Sequence, residues 1–349
     1  MNMEKTGFSQ VGSKFGLSPE WHLSSEIGYE EIADLLHQER PYLALQRASR
    51  WQRNGESGVL AEVRFESGVC DGHYPGSATI PLVDMGRVMD QAAGLTSNSQ
   101  GKIPLLKRIS KLRAESMEVA RPDSSYWIWA FPEKGELITR LYSDTSTSIL
   151  ASIQGWEYDF AVSVDGSEQP RFVATEGAVE NVEVKWIEEI DSERIARLIP
   201  QAPPFFVLQS AWNGNTSTGA DVVKSFSSFK IDHVAGHLDG IHLLGPMHYA
   251  RSLAQTGMLL AALVGGSENA VPEVVSAKTI WYDTREYFGP EVEVMTTVVC
   301  DRKFGRGGLS FVTMNGIVSV RGKAVLGTDS FVYVLLPRAT HPATAQMKT

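Results

Sequence analysis

The chain has 349 residues with a net charge of −9, of which 43% are hydrophobic and 21% charged. This composition is typical of a globular protein with room for two domains, and the negative charge argues against a general binder of nucleic acid or anionic membranes.

Two cysteines far apart, Cys70 and Cys300, cannot build a disulfide framework or a CxxC metal site. The N-terminus lacks the apolar run of a signal peptide, and the most apolar stretch, 258–264, is far shorter than the ~20 residues of a membrane span. We therefore expect a cytoplasmic protein.

In the first half, apolar residues at helical spacing predict an amphipathic helix from Tyr29 to Gln38. The run VLAEVRF at 59–65 then indicates a strand. A GHYPG turn at 72–76 precedes a second helix over 82–95, and proline at its first turn is harmless to it. Alternating segments such as SYWIWAF at 125–131 predict further strands.

The second half repeats this order. A short helix at 192–200 precedes a GHLDG turn at 236–240, a helix over 247–264 and strands such as EVEVMTTVV at 291–299. Between the halves, a stretch rich in Gly, Ser, Glu and Val reads as a linker.

The two halves also align residue by residue. IADLLHQERPYLALQ at 32–46 matches IARLIPQAPPFFVLQ at 195–209, with an offset of 163 between Pro41 and Pro204. The offset is 164 between His73 and His237, so a single insertion reconciles the halves. We therefore predict an internal duplication of the α+β class. The expected division is an N-terminal extension, unit 1, a linker, unit 2 and a tail, at 1–19, 20–165, 166–184, 185–337 and 338–349.

The segment GHYPGSATIPLVDMGRVMDQAAG (72–94) resembles the hotdog-fold 3-hydroxyacyl-(acyl carrier protein) dehydratases, and PYLALQR and PFFVLQS resemble that family's upstream strand. The resemblance implies a double hotdog, in which each unit has a long central helix wrapped by an antiparallel sheet. It also implies that each helix faces the other unit's histidine, so one chain would complete its own pockets. This arrangement is compatible with a homodimer. We expect no cofactor.

Dehydration of a 3-hydroxyacyl thioester requires a base beside the thioester carbonyl, a donor for the carbonyl oxygen and an acid for the departing hydroxyl. The resemblance places His73 and His237 at the position of the family's base. It places Leu82 and Pro246 at the position of the backbone donor, and Arg87 and Arg251 at the position of the acid. It also places Gly76 and Gly240 in the substrate-binding turns.

Two of these positions depart from the family. Arginine keeps its proton and cannot act as a general acid, and proline has no N–H. We expect His237 to face Leu82 and Arg87, which makes His237 the better base. Asp84, one turn from Arg87, is the candidate for the missing carboxyl.

Each assignment has a structural alternative. The histidines could be ordinary turn residues, and Arg87 could pair with Asp84 and Asp90 on its own helix. Arg251 has no acid within one turn, so it is a candidate for binding a carboxylate of the substrate. The second half also carries His233, His242 and His248, but no Cys or Glu completes a usual zinc set, so we predict no metal.

The segment KIPLLKRISKLR at 102–113 holds five basic residues on an edge-like strand. It is either a solvated edge or a docking patch for an acidic carrier protein. The predicted function is therefore that of an enzyme on acyl thioesters of acyl carrier protein or coenzyme A, most simply a dehydratase or isomerase of specialised fatty-acid or polyketide metabolism. The alternatives are an acyltransferase, thioesterase or decarboxylase that holds a substrate carboxylate with arginine, and a non-catalytic acyl-binding protein.

Overall fold

The computed structural model describes residues 6–66, 68, 71–74, 79–97, 102–116, 118, 120–122, 124–161, 183–237, 242–266, 270–283 and 288–338. Within these ranges the helices are α1 (Thr6–Lys14), α2 (Tyr29–Leu36), α3 (Leu82–Ser97), α4 (Ser192–Leu198) and α5 (Pro246–Gly265). The strands of the first half are β1 (His22–Ile27), β2 (Leu45–Arg53), β3 (Glu56–Arg64), β4 (Ile103–Ala114), β5 (Ser125–Glu133), β6 (Glu136–Ser143), β7 (Ile149–Gln154) and β8 (Glu157–Ala161). Those of the second half are β9 (Val184–Ile190), β10 (Leu208–Thr216), β11 (Asp221–Ser227), β12 (Ala270–Tyr282), β13 (Val294–Arg306), β14 (Leu309–Val320) and β15 (Lys323–Pro337).

All fifteen strands belong to one antiparallel sheet, with the order β1-β2-β3-β5-β6-β7-β4-β12-β15-β14-β13-β11-β10-β9 and β8 paired to β4. Read inward from either edge, the two halves have the same strand order. They meet where β4 pairs with β12, with Ile109 opposite Ile280. The expected helices and strands are present, and the predicted α+β class, with helices packed on an antiparallel sheet, is confirmed.

Local sequence explains where the helices begin and end. Asp191 caps α4 by accepting a hydrogen bond from the backbone N–H of Arg194 at 2.8 Å. Pro246 occupies the first turn of α5, where a missing N–H costs nothing, and Gly266 ends that helix in the left-handed region at φ 63°.

The helices α3 and α5 lie against each other and against the sheet, and their buried residues join a single hydrophobic core that spans both halves. No helix within the described ranges has the length and apolar character needed to cross a membrane. The predicted linker is 166–184. Its residues 166–182 lie outside the described residues.

The residues before β1 pack against the first half of the chain. Phe8 within the short helix α1 and Phe15 just after it are buried with Trp21 in a second apolar cluster on the outer face of the first half. The ring of Phe8 meets the edge of Trp127 at 5.8 Å between centroids. Burial of a Phe side chain is worth roughly 1.5–3 kcal/mol, so this segment stabilises unit 1.

The basic strand β4 does not lie at an edge of the sheet. It pairs with β12 on one side and with β7 and β8 on the other, so the edge prediction is wrong. Lys107 and Arg108 also face carboxylates of β8, Asp159 and Glu157, each at 3.7 Å. The alternating sequence of β4 gave no sign of its partner, because β12 is contributed by the other half of the chain.

Candidate active site

Each GH turn packs on a loop from the opposite half of the chain. The backbone N–H of Ala202 donates to the carbonyl of Gly72 at 2.7 Å, and that of Glu39 donates to the carbonyl of Gly236 at 3.0 Å. Gly72 and Gly236 have φ of 78° and 75°, and a Cβ atom at either would overlap backbone carbonyl oxygens of the opposite loop. The first glycine of each motif is therefore required by both conformation and close approach. The predicted residues Gly76 and Gly240 lie outside the described residues.

Two glutamines hold these opposite loops in place. Gln255 of α5 accepts from the N–H of Val207 at 3.0 Å and donates to the carbonyl of Phe205 at 3.0 Å. Gln91 of α3 makes the equivalent bonds to the N–H of Ala44 and the carbonyl of Tyr42, at 3.3 and 3.0 Å. The repeated Gln thus ties the loop of its own half to the central helix, and the loop then meets the histidine turn of the other half.

The two histidines have the same fixed tautomer. Nδ1 of His73 lies 2.9 Å from the carbonyl oxygen of Thr79, and Nδ1 of His237 lies 3.0 Å from that of Leu243. Since a carbonyl oxygen only accepts, each Nδ1 carries the proton, and Nε2 of the neutral ring is left with a lone pair. Either ring is therefore oriented to act as a base through Nε2.

The surroundings of the two rings differ. Burial lowers the pKa of His73, and the carboxylate of Glu273 opposes that effect. Burial lowers the pKa of His237 to about 4, and the nearby Arg87 contributes to the decrease. A general base is most effective when its pKa lies near the working pH, and a pKa of about 4 disfavours His237 as a base.

An aromatic ring links each histidine to the arginine of the other half. Phe205 lies 4.9 Å from the ring of His73, and the guanidinium of Arg251 lies over Phe205 at 4.4 Å. Tyr42 takes the same place between His237, at 4.7 Å, and Arg87, at 5.0 Å. His73 is thus grouped with Arg251, and His237 with Arg87, across the two halves.

The helix starts are arranged differently from our expectation. Leu82 lines a small cavity together with His73 and Arg251, whereas Gly245, just before Pro246, packs directly on the ring of His237. The pairing of Leu82 with His237 is therefore wrong. The reason is that each histidine bonds to the segment just before its own helix, which brings the start of that helix back beside it. Leu82, which keeps its backbone N–H, therefore lies in the cavity of His73.

The His73 cavity is a space of about 40 Å³ in which groups from both halves converge, lined by His73, Tyr74, Pro81, Leu82, Val83, Gln201, Phe205, Arg251, Ala254, Gln255, Met258, Pro272, Glu273 and Val274. Leu82 and Val83 are the first residues of α3, and the N–H groups of a helix's first turn have no partner within the helix. Glu273 belongs to no motif of the sequence. Tyr74 and Phe205 lie within the GHYPG turn and the repeated PFFVLQ segment, which were the available signals.

A second cavity of about 100 Å³ lies between α3, α5 and the centre of the sheet, and its lining is almost entirely apolar. Leu82, Val83, Ala254 and Val274 line both this apolar cavity and the His73 cavity. The apolar cavity and the His73 cavity are therefore adjacent.

Asp84 lies between the two arginines. Its carboxylate is 3.3 Å from Nε of Arg87 and 3.6 Å from an Nη of Arg251, and its side chain is only 6% exposed. Asp90, the other acid near Arg87 in sequence, instead accepts a hydrogen bond from the Tyr158 hydroxyl at 2.7 Å. Asp84 is therefore placed as a counter-ion.

The two guanidinium groups are incompletely satisfied. Arg87 donates to the carbonyl of Tyr42, but its Nε and Nη2, and Nε of Arg251, have no hydrogen-bond partner among the described residues. They face a central cavity of about 400 Å³, which Asp84 and Met247 also line and which has exposed acidic residues at its rim.

His248 is bonded to the backbone at the start of α5. His248 accepts from the backbone N–H of Gly245 at 2.9 Å and donates through Nε2 to the carbonyl of His233 at 2.8 Å, so both its ring nitrogens are occupied. In the part of the chain that is described, no group of three or more His, Cys, Asp or Glu side chains is arranged to hold a metal ion.

Comparison with known proteins gives matches at the level of structure. No protein-family model and no curated protein sequence matches the chain. The dehydratase domain from the CurJ module of the curacin polyketide synthase superposes with a TM-score of 0.54, at 12% identity over 84% of this chain and 96% of that domain. The chain has the hotdog-like fold of these domains.

Two further dehydratase domains agree with this result. That of PpsC from Mycobacterium tuberculosis, solved with C12:1-CoA, gives a TM-score of 0.54 at 14% identity, over 81% of this chain and 95% of the domain. A trans-AT polyketide synthase dehydratase domain from Brevibacillus brevis gives 0.56 at 11% identity, over 82% and 96%. The match spans nearly the full length of each domain.

Proposed function

We propose that the chain is a tandem pair of hotdog units, 20–165 and 185–337, with α3 and α5 as their central helices. The identical strand order of the two halves and the paired contacts of Gly72 and Gly236 with the opposite half support this division. Residues 1–19 then form a packed addition to unit 1, and 338–349 a tail.

We propose that this pair acts on acyl thioesters as a 3-hydroxyacyl dehydratase-like enzyme, with His73 as its base. The observation that carries the proposal is the shared wall between the His73 cavity and the apolar cavity, which would place an acyl chain in one and its thioester in the other. The structural neighbours are consistent with it, because one was solved with an acyl-CoA and another is a His-to-Phe variant described as inactive.

The proposed chemistry uses groups that are present. Nε2 of His73 takes the proton beside the thioester carbonyl, while the N–H groups of Leu82 and Val83 stabilise the charge that develops on the carbonyl oxygen. Arg251 cannot donate a proton, so the proton held by Nε2 passes to the departing hydroxyl as the carbon–oxygen bond breaks. Water leaves, and His73 returns to its neutral form without a second acid.

The experiment is mass spectrometry of the purified chain incubated with 3-hydroxyacyl thioesters of different chain lengths, on an acyl carrier protein and on coenzyme A. Dehydration predicts a loss of one water from the acyl group, and the reverse hydration predicts its gain by the 2-enoyl thioester. Hydrolysis, loss of carbon dioxide or acyl transfer in its place would contradict the dehydratase reading. Binding without any change would favour the non-catalytic acyl-binding alternative.

The guanidinium nitrogens that lack a hydrogen bond favour one alternative function. An acyltransferase, thioesterase or decarboxylase could hold a substrate carboxylate on Arg87 and Arg251 in the central cavity. Including thioesters that carry a second carboxylate in the same panel tests this alternative. Turnover confined to those compounds would support it.

A further inference from the structure

A carboxylate from the second half of the chain enters the His73 cavity. Glu273, on strand β12, accepts a hydrogen bond from the hydroxyl of Tyr74, the residue that follows His73. The rings of His73 and Tyr74 are 4.2 Å apart, and all three residues line the same cavity. Glu273 is therefore tied to the histidine turn of the opposite half.

This carboxylate belongs to one pocket only. Strand β4 carries the pair Pro104-Leu105 near its start, where β12 carries Pro272-Glu273. The first half thus has leucine at the position of Glu273. Each pocket has a histidine, an aromatic ring and an arginine at equivalent positions. The two pockets differ in the charge of Glu273.

The charges that face His73 come from three elements. Glu273 of β12 and Asp84 of α3 are negative, and Arg251 of α5 is positive, while Tyr74 is the neighbouring hydroxyl. Burial lowers the pKa of His73, and Glu273 is the strongest influence in the opposite direction, followed by the Thr79 carbonyl and Asp84. Asp84 is paired with Arg87 and Arg251, whereas Glu273 is bonded to Tyr74, the residue next to His73.

We propose that Glu273 is a positioning residue that balances the positive charge of His73 after it has taken the substrate proton. This inference rests on the proposed function of His73. It explains how a buried histidine can hold a proton although arginine occupies the helix position where a carboxylic acid was expected. The effect is electrostatic, and no proton passes to Glu273 itself.

The direct test does not depend on activity. The imidazole of His73 is titrated by NMR in the full chain and in Glu273→Gln, with the resonance assigned by its loss in His73→Gln. Removal of the opposite charge that Glu273 contributes to this cavity is expected to lower the pKa of His73 by about 1. Glu136→Gln, which removes an exposed carboxylate from the β5–β6 hairpin, is the matched control and should leave it unchanged. An unchanged pKa in a folded Glu273→Gln variant would overturn the proposal.

Glu273→Leu copies the first half's residue at this position and provides a second variant in case the glutamine disturbs the cavity. It should lower the pKa of His73 in the same way.

Kinetics add a second readout if the chain dehydrates a thioester. Glu273→Gln should lower kcat tenfold or more with KM changed less than twofold, and the acidic limb of the kcat/KM profile should move to lower pH. A purely structural role would raise KM or reduce stability without moving that limb. If no thioester is dehydrated, the proposed function fails, but the titration still decides whether Glu273 acts on His73.

Discussion

The backbone N–H of Ala202 donates to the carbonyl oxygen of Gly72 at 2.7 Å, which joins the proline loop of the second half to the histidine turn of the first. Glu39 and Gly236 repeat this contact in the opposite direction. Through it each histidine meets an arginine from the other half. The candidate site is therefore formed by residues of both halves.

The first prediction concerns the glycines at these contacts. Gly72→Ala and Gly236→Ala should both destabilise the chain by more than the ~1–2 kcal/mol that a left-handed backbone costs a non-glycine residue, because the new Cβ also meets the opposite backbone. Gly55→Ala is the control, since Gly55 has φ of 84° but open space around it. Chemical denaturation measures the three values. Equal losses at all three sites would show that the close approach does not matter.

The second prediction concerns the buried ion cluster. Asp84→Asn leaves two buried guanidinium groups without their carboxylate, and breaking such a buried pair typically costs about 3–5 kcal/mol. Asp144→Asn removes an exposed partner of Lys14 and should cost about 1 kcal/mol or less. Adding Arg251→Met to Asp84→Asn should restore part of the loss. A loss as small as that of Asp144→Asn would mean that water or an ion already balances the arginines.

The third prediction concerns pH. Burial raises the pKa of Asp90 to about 7, with the Tyr158 hydrogen bond opposing it, whereas an unfolded Asp has a pKa near ~3.9. The folded protein therefore binds more protons between these values, and its stability falls as the pH rises through them. Asp90→Asn, which can still accept from Tyr158, should be more stable than the parent at pH 8 by up to about 4 kcal/mol, and the gain should vanish near pH 4.

Melting temperatures at pH 4, 6 and 8 check this prediction. Asp34→Asn, on the exposed side of α2, serves as the control. A pH-independent effect of Asp90→Asn would contradict the assigned pKa.

The repeated segments predicted much of this architecture. The GH turns, the Gln of each central helix and the alternating strands marked the same elements twice, so the helices followed from the sequence. The crossed grouping of His73 with Arg251 was implied by the resemblance to the dehydratases. The position of Leu82 beside His73 did not follow from the sequence. The repeat carries no information on how a histidine turn folds back onto the start of its own helix.

Other features left no repeated signal. Glu273 has leucine as its counterpart in the first half, and it reaches His73 only through the pairing of the two halves. The central place of β4 likewise depends on a strand more than a hundred residues away. The packed segment around Phe8 has no equivalent in the second half.

The central claim is that the His73 pocket carries the chemistry, and one pair of variants tests it most directly. His73→Gln and His237→Gln are compared in single-turnover dehydration of one 3-hydroxyacyl thioester, with folding checked by thermal denaturation. Loss of a general base typically costs about 10²–10⁴-fold, so His73→Gln should fall by at least a hundredfold, while His237→Gln should stay within tenfold of the parent. An equal loss from both variants, or a greater loss from His237→Gln, would contradict the account and place the reaction beside Arg87.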